Sequence, residues 1–300
     1  MTVTGAGAGL MTSGDGTTLW TRLARFGRTF FRGNWLNMLA AFLVGLVFFC
    51  AILGPAIVPY DPIAMDLKLR LQPPSIDHFF GTDEFGRDIF SRVIVGARIS
   101  VLVAAMVLSV ASVVGFLVGA IAGLLGGWLD EVLMRITDLF LAFPGLILAM
   151  AIAATLGPSL ENTMIALSVV YWPWYARLVR SQVLSLRERE FIVAAQSIGA
   201  GTGRLLLRHL LPNVVPILIT QITVDVGYVI LSTSGLSFLG LGAQPPTPEW
   251  GLMITTGRNF MRESPWLITF PGLALAITVL GFNLLGDGLR DYLDPKLRNR

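Results

Sequence analysis

The 300 residues are 54% hydrophobic and only 14% charged, with a formal net charge of +3. Soluble domains carry about 25% charged residues, so this composition excludes water as the main solvent of the chain and points to a bilayer. One cysteine, Cys50, and two histidines, His78 and His209, also exclude a disulfide framework and a cysteine or histidine metal cluster.

Residues 1–19 are rich in Gly, Thr and Ser and lack the apolar core of a secretory signal. They open a cytoplasmic tail, residues 1–34, that ends in a basic juxtamembrane segment with Arg22, Arg25, Arg28 and Arg32; residues 35–300 then read as one transmembrane domain. Stretches free of Asp, Glu, Lys and Arg cover residues 33–60, 99–129, 139–160, 162–176, 226–248 and 264–286. Most exceed the roughly 20 residues that a helix needs to cross a bilayer. The predicted fold is all-α, with six transmembrane helices near 37–58, 101–124, 138–157, 161–179, 214–240 and 267–286. An internal N-terminus then puts 15 of the 22 Lys and Arg on the cytoplasmic side, as the positive-inside rule requires, and leaves both termini cytoplasmic.

Residues 60–100, with Pro62, Pro73, Pro74, six acids and five bases, read as an external segment. Its string Gly81, Asp83, Glu84, Gly86, Arg87, Asp88 lacks the ligand spacing of a calcium loop. Arg87 and Arg92 are ready partners for its acids, which makes the string a structural cap or a docking surface.

Residues 182–213 are polar, cytoplasmic and helical in pattern. Phe191, Ala194, Ala195 and Ile198 fall at i, i+3, i+4 and i+7, one apolar stripe opposite Glu188, Arg189, Glu190 and Gln196. Gly199, Gly201 and Gly203 interrupt the pattern, and Thr202 can cap a second short helix that stops at Pro212. Two readings stand for this helix–turn–helix: a surface that another protein approaches closely, or an interfacial helix on lipid headgroups.

Asp225 is the one acid well inside a span, where a carboxylate is costly in hydrocarbon. It either lines a translocation cavity, where it meets a substrate ammonium, or makes a polar contact between helices through Thr220, Thr223 or a second subunit. Residues 240–251, GLGAQPPTPEWG, read as a non-helical external loop because of Gly240, Gly242, Gly251, Pro245, Pro246 and Pro248.

A P-loop needs a lysine after its second glycine to reach the phosphates. Lys68 and Lys296 are the only lysines and neither follows a glycine, so any ATP-derived energy arrives from another protein. The zinc-protease helix motif and the serine-hydrolase G-x-S-x-G are equally missing from the sequence.

Four strings resemble one family, the inner-membrane permeases of ABC importers, in their dipeptide/oligopeptide/nickel branch and as the second of its two permease subunits. The family's cytoplasmic EAA-xxx-G loop, ending in LP, is matched by Ala194, Ala195, Gly199, Leu211 and Pro212, although Val193 replaces the glutamate. Gly81, Thr82 and Asp83 with Gly86, Arg87 and Asp88 make the second match, residues 240–251 the third. The fourth runs from Asn283 through Gly286, Asp287 and Arg290 to Asp294, Pro295 and Lys296. The resemblance spans about residue 20 to the end.

It implies the type I importer permease fold with a MetI-like core, in a bacterial inner membrane. It implies a second homologous permease, two ATPase subunits or one fused, which hold the ATP and Mg, and a substrate-binding protein; no cofactor and no nucleic acid belong to this chain. The loop with Glu190, Phe191, Ala194, Ala195, Ile198, Gly199, Gly201, Leu211 and Pro212 then couples to an ATPase, and Asp225 is a candidate for the cargo path. Dipeptides or oligopeptides are the expected cargo, with nickel chelate or glutathione as alternatives. A proton-coupled carrier, the competing class, usually keeps several ionisable residues at mid-membrane, and Asp225 stands alone.

Overall fold

The computed structural model describes residues 35–293. The tail, residues 1–34, and the string Asp294, Pro295 and Lys296 lie outside the described residues. Among those described there are helices and short 3-10 turns but no strand.

Helix α1 (Trp35–Ile57) carries no charge and buries Ala40, Val44, Val47, Ala51 and Gly54. That spacing is one narrow stripe, and the large residues around it, such as Phe42, Phe49 and Ile52, face outward. α1 packs against α2 (Ile89–Leu125) and α9 (Trp266–Leu293). α2 has 37 residues, about 55 Å of helix, against a hydrocarbon core of about 30 Å. It therefore starts 12 residues before the predicted span at 101, inside the segment read as external, because Asp88 caps it there.

Gly126 and Gly127, at φ 66° and 59°, turn the chain from α2 into α3 (Gly127–Leu141). The predicted span at 138–157 is not one helix. α3 and α4 (Gly145–Leu156) meet at a bend of 86°, where Pro144 lacks the N–H that would continue the ladder and pushes Phe143 away from helical backbone. α5 (Leu160–Arg187) follows, capped by Ser159. Among the described residues four helices are long and apolar enough to cross a membrane, and the bent pair can make a fifth. α5 has the length, 28 residues, but Tyr171, Trp172, Trp174, Tyr175, Arg177 and Arg180 dilute its apolar character.

The short α6 (Glu190–Ser197) leads into α7 (Thr202–Phe238). The expected stop at Pro212 does not occur. Leu205–Leu210 is wound as π-helix, and that wider turn absorbs the missing proline N–H, so the helix runs on through the predicted span at 214–240. Thr202 does not cap it either; Gly201 holds that position, without a side-chain bond. Residues 240–249 are non-helical, as read, but Trp250–Gly257 forms α8, capped by Glu249. The Trp250 indole is buried and donates to the Val93 carbonyl at 3.0 Å, which ties α8 under the first turns of α2.

The most extensive helix packing is that of α2 with α5. Gly115, Gly119 and Gly123 face Tyr175, Ala176, Val179, Arg180 and Val183, so that backbone touches backbone, as small residues allow within membranes. A Cβ on Gly119 would run into the Ala176 carbonyl oxygen, while one on Gly235 in α7 would meet nothing within 4 Å. Gly119→Ala is therefore expected to lose about 1–3 kcal/mol of stability through overpacking. Gly235→Ala should be neutral or slightly stabilising, since glycine weakens a helix interior. Thermal unfolding of the two purified variants in detergent checks the contrast, and equal melting temperatures would contradict the seam.

Candidate functional site

Three groups of residues were singled out by the sequence, and each takes a definite geometry. The external string folds inward on itself. Asp83 accepts from the backbone N–H of Phe85 and Arg87 at 2.9 Å each, and from the Arg87 guanidinium at 2.6 Å. Asp88 accepts from the Ser91 N–H and hydroxyl at 2.8 and 2.7 Å and pairs with His78 Nδ1 at 2.9 Å. Gly81 and Gly86 both sit at φ 75°, and a Cβ on Gly86 would overlap the Asp66 carbonyl.

Arg92 holds the outer layers together. Its guanidinium donates to the carbonyls of Pro62 and Pro246 at 2.7 and 3.2 Å, joining the external segment to the loop before α8. Asp83, Arg87, Asp88 and Arg92 are all buried, so the geometry is that of an internally paired cap. Glu84 differs from them: burial pushes its carboxyl above the ordinary range, against the pull of its own backbone N–H and of Arg87, and its Oε2 has no hydrogen-bond partner.

The second group surrounds Asp225. Gln221, Asp225, Tyr228 and Ser232 lie along one face of α7, spaced by four, three and four residues, and with Tyr171 and Trp174 of α5 they line a cavity of about 400 Å³. The Tyr175 hydroxyl donates to Asp225 Oδ2 at 2.6 Å and Gln221 Nε2 donates to Oδ1 at 2.9 Å. Thr220 and Thr223 are not its partners, since both donate to carbonyls of their own helix. The expectation from sequence names neither partner: Gln221, one turn from Asp225, carries a local i, i+4 signal that it misses, and Tyr175, 50 residues away on another helix, carries none.

The third group is the α6 turn. Ile198, Gly199 and Ala200 close the helix: Ala200 N–H donates to the Ala195 carbonyl at 3.0 Å and Gly199 N–H to Gln196 at 2.9 Å, with Gly199 at φ 82°. That is the Schellman pattern, which needs a residue free to take positive φ. The expected single stripe is split. Ala195 and Ile192 are buried against the protein itself, while Phe191, Val193, Ala194 and Ile198 are exposed, Ile198 by 87%. Leu211 and Pro212 lie inside α7, and Glu190 and Gly201 are exposed at the two ends of the turn.

Ion pairs between α3 and α5, unforeseen from the sequence, brace the same end of the bundle. Arg180 grips Asp130 through two bonds of 2.6 Å, and Arg177 pairs with Asp138.

The family described as binding-protein-dependent transport system inner membrane component matches residues 115–299, and the N-terminal TM domain of oligopeptide transport permease C matches residues 20–74. The chain belongs to this family of inner-membrane transport components. As one of these permeases it is a multi-pass subunit of an ABC importer, and not itself the ATPase. Among curated relatives, the probable D,D-dipeptide transport system permease protein DdpC of Escherichia coli K12 is 46% identical over 265 residues, covering 88% of this chain and 89% of its own. The glutathione transport system permease protein GsiD of Escherichia coli O6:K15:H31 is 48% identical, with 89% of each chain covered. The nickel transport system permease protein NikC of Escherichia coli K12 is 43% identical, over 89% of this permease and 97% of its own length.

In the cap of this permease, Asp83→Ala leaves two buried guanidinium groups short of their partner and should cost about 3–5 kcal/mol. Glu84→Gln should leave stability at neutral pH unchanged or higher. A carboxyl raised by burial destabilises the fold when ionised, so any advantage of Glu84→Gln should shrink as pH falls through the carboxylate range. Melting temperatures of both variants between pH 4.5 and 7.5 test this, and a larger loss for Glu84→Gln than for Asp83→Ala would reverse the assignment.

Proposed function

We propose that this permease forms half of the path by which an ATP-driven importer carries dipeptides or oligopeptides, pairing with a second homologous permease. Two ATPase subunits, or one fused, bind ATP and Mg, and an extracytoplasmic binding protein delivers the cargo. Both termini and residues 182–213 face the cytoplasm in this reading, with α5 as the sixth crossing, supported by the 15-to-7 division of Lys and Arg. The names of the relatives, which include dipeptide, glutathione and nickel systems, support peptide cargo more broadly than metal. The cavity favours it too, because its lining offers a carboxylate and aromatic rings and no histidine or cysteine.

One observation carries the coupling role: α6 holds out Phe191, Ala194 and Ile198 beside a rigid glycine turn while Ala195 and Ile192 anchor it from behind. An apolar face on a polar loop suits a groove on the motor subunit. ATP-driven closure of the ATPases then moves the two permeases as rigid bodies, opening the path to the docked binding protein, and hydrolysis resets them. The sequence leads one to place a bulky residue at Ala195 to block docking; with its side chain buried against this chain, Ala194 is the better site.

Gly199→Val strains the turn by about 1–2 kcal/mol without a clash, since nothing lies within 4 Å of its Cβ. Gly199→Val and Ala194→Arg should each assemble with the other subunits yet lose binding-protein-stimulated ATP hydrolysis and uptake in proteoliposomes. Normal stimulation and normal uptake in both would remove this loop from the coupling role and leave the interfacial-helix reading.

A further inference from the structure

We infer that the Asp225 cavity is a subsite for the ammonium end of the cargo, and for that end only. The inference rests on the peptide-importer reading above. Asp225 is 5% exposed, yet its two bonds, from Tyr175 and Gln221, are both from neutral groups. Among the described residues no Lys, Arg or His pairs with it. Each carboxylate oxygen keeps lone pairs beyond these bonds, so a cation entering the cavity finds both charge and acceptors waiting.

The remaining walls fit the same chemistry. Tyr171, Trp174 and Tyr228 line the cavity, and Trp174 and Tyr228 are more than half exposed, so their faces are available to a cation. A volume of about 400 Å³ holds a short peptide. No lining residue is basic. The free carboxylate of a zwitterionic cargo therefore has no counterpart here, and recognition is one-ended. Tyr175 orients the carboxylate by donating its hydroxyl to Oδ2, and the residue is itself fully buried, with its Cβ against Gly115 of α2.

The test uses the complete reconstituted complex with its binding protein and three probes: dialanine, dialanine amide and N-acetyl-dialanine. Asp225→Asn should cut uptake of dialanine and of its amide per ATP hydrolysed by about tenfold or more, the loss of one charge-assisted hydrogen bond. For N-acetyl-dialanine the ratio of variant to wild type should stay near one. Because Asp225→Asn can also disturb assembly, Tyr228→Leu is measured beside it. That exposed change keeps an apolar wall but removes the ring, and it should weaken uptake of the two ammonium cargos selectively. Undiminished dialanine uptake in both variants, or losses of the same size for all three probes, would overturn the subsite while leaving the importer intact. If the wild-type complex moves none of the peptides but carries a nickel chelate, the peptide reading falls and the subsite falls with it.

Discussion

The contact on which the rest of the molecule depends is the glycine seam between α2 and α5. Gly115, Gly119 and Gly123 let the backbone of α5 approach as closely as one helix can approach another. Tyr175 lies directly on Gly115, and from there its hydroxyl reaches Asp225 on α7. Lower on the same helix, Gly119 and Gly123 bring Arg180 and Arg187 to the end of α2, where Arg180 grips Asp130 and Arg187 meets the Gly123 carbonyl. One packing surface therefore sets both the cavity wall and the charged end that leads to α6. In a bilayer no hydrophobic force draws helices together, so close packing and satisfied polar groups must supply the cohesion.

The outer end uses a different device. Asp88 caps α2, Arg92 one turn later collects carbonyls from two distant loops, and Trp250 inserts beneath the same turns. Phe80 stacks on Phe270 of α9 at 3.9 Å, which extends the clamp to the last helix. The outer cap, the seam and the separately anchored turn at α6 tie the helices together, the arrangement that the rigid-body movement proposed above requires.

Charge-free runs revealed the long apolar helices in the sequence because the bilayer imposes length and composition directly, and the glycine at 199 showed its turn because positive φ is a local demand. Elements set by neighbours were less legible. The start of α2 at Ile89 lay in polar sequence, and only the cap at Asp88 marks it. The bend before α4 was written in Pro144, but the apolar run around it masked the break. Periodicity assigned Ala195 to the exposed stripe because two alternative faces of α6 are both apolar; the choice between them depends on packing against the bundle rather than on the pattern. For Asp225 the sequence left a wall of the translocation cavity and a helix contact as alternatives. Its carboxylate makes the helix contact, to Tyr175, a partner that no local pattern could name, and it borders a cavity whose part in transport is proposed above.

The central claim is that a chain without its own motor receives force at the α6 turn, and cross-linking from Ile198 tests it most directly. This side chain is 87% exposed at the tip of the turn, so a photoreactive residue there samples whatever docks on it. In membranes containing the assembled importer, the account predicts a covalent adduct with the ATPase subunit whose yield changes when ATP is added. Adducts with lipid alone, or with the extracytoplasmic binding protein, would contradict it.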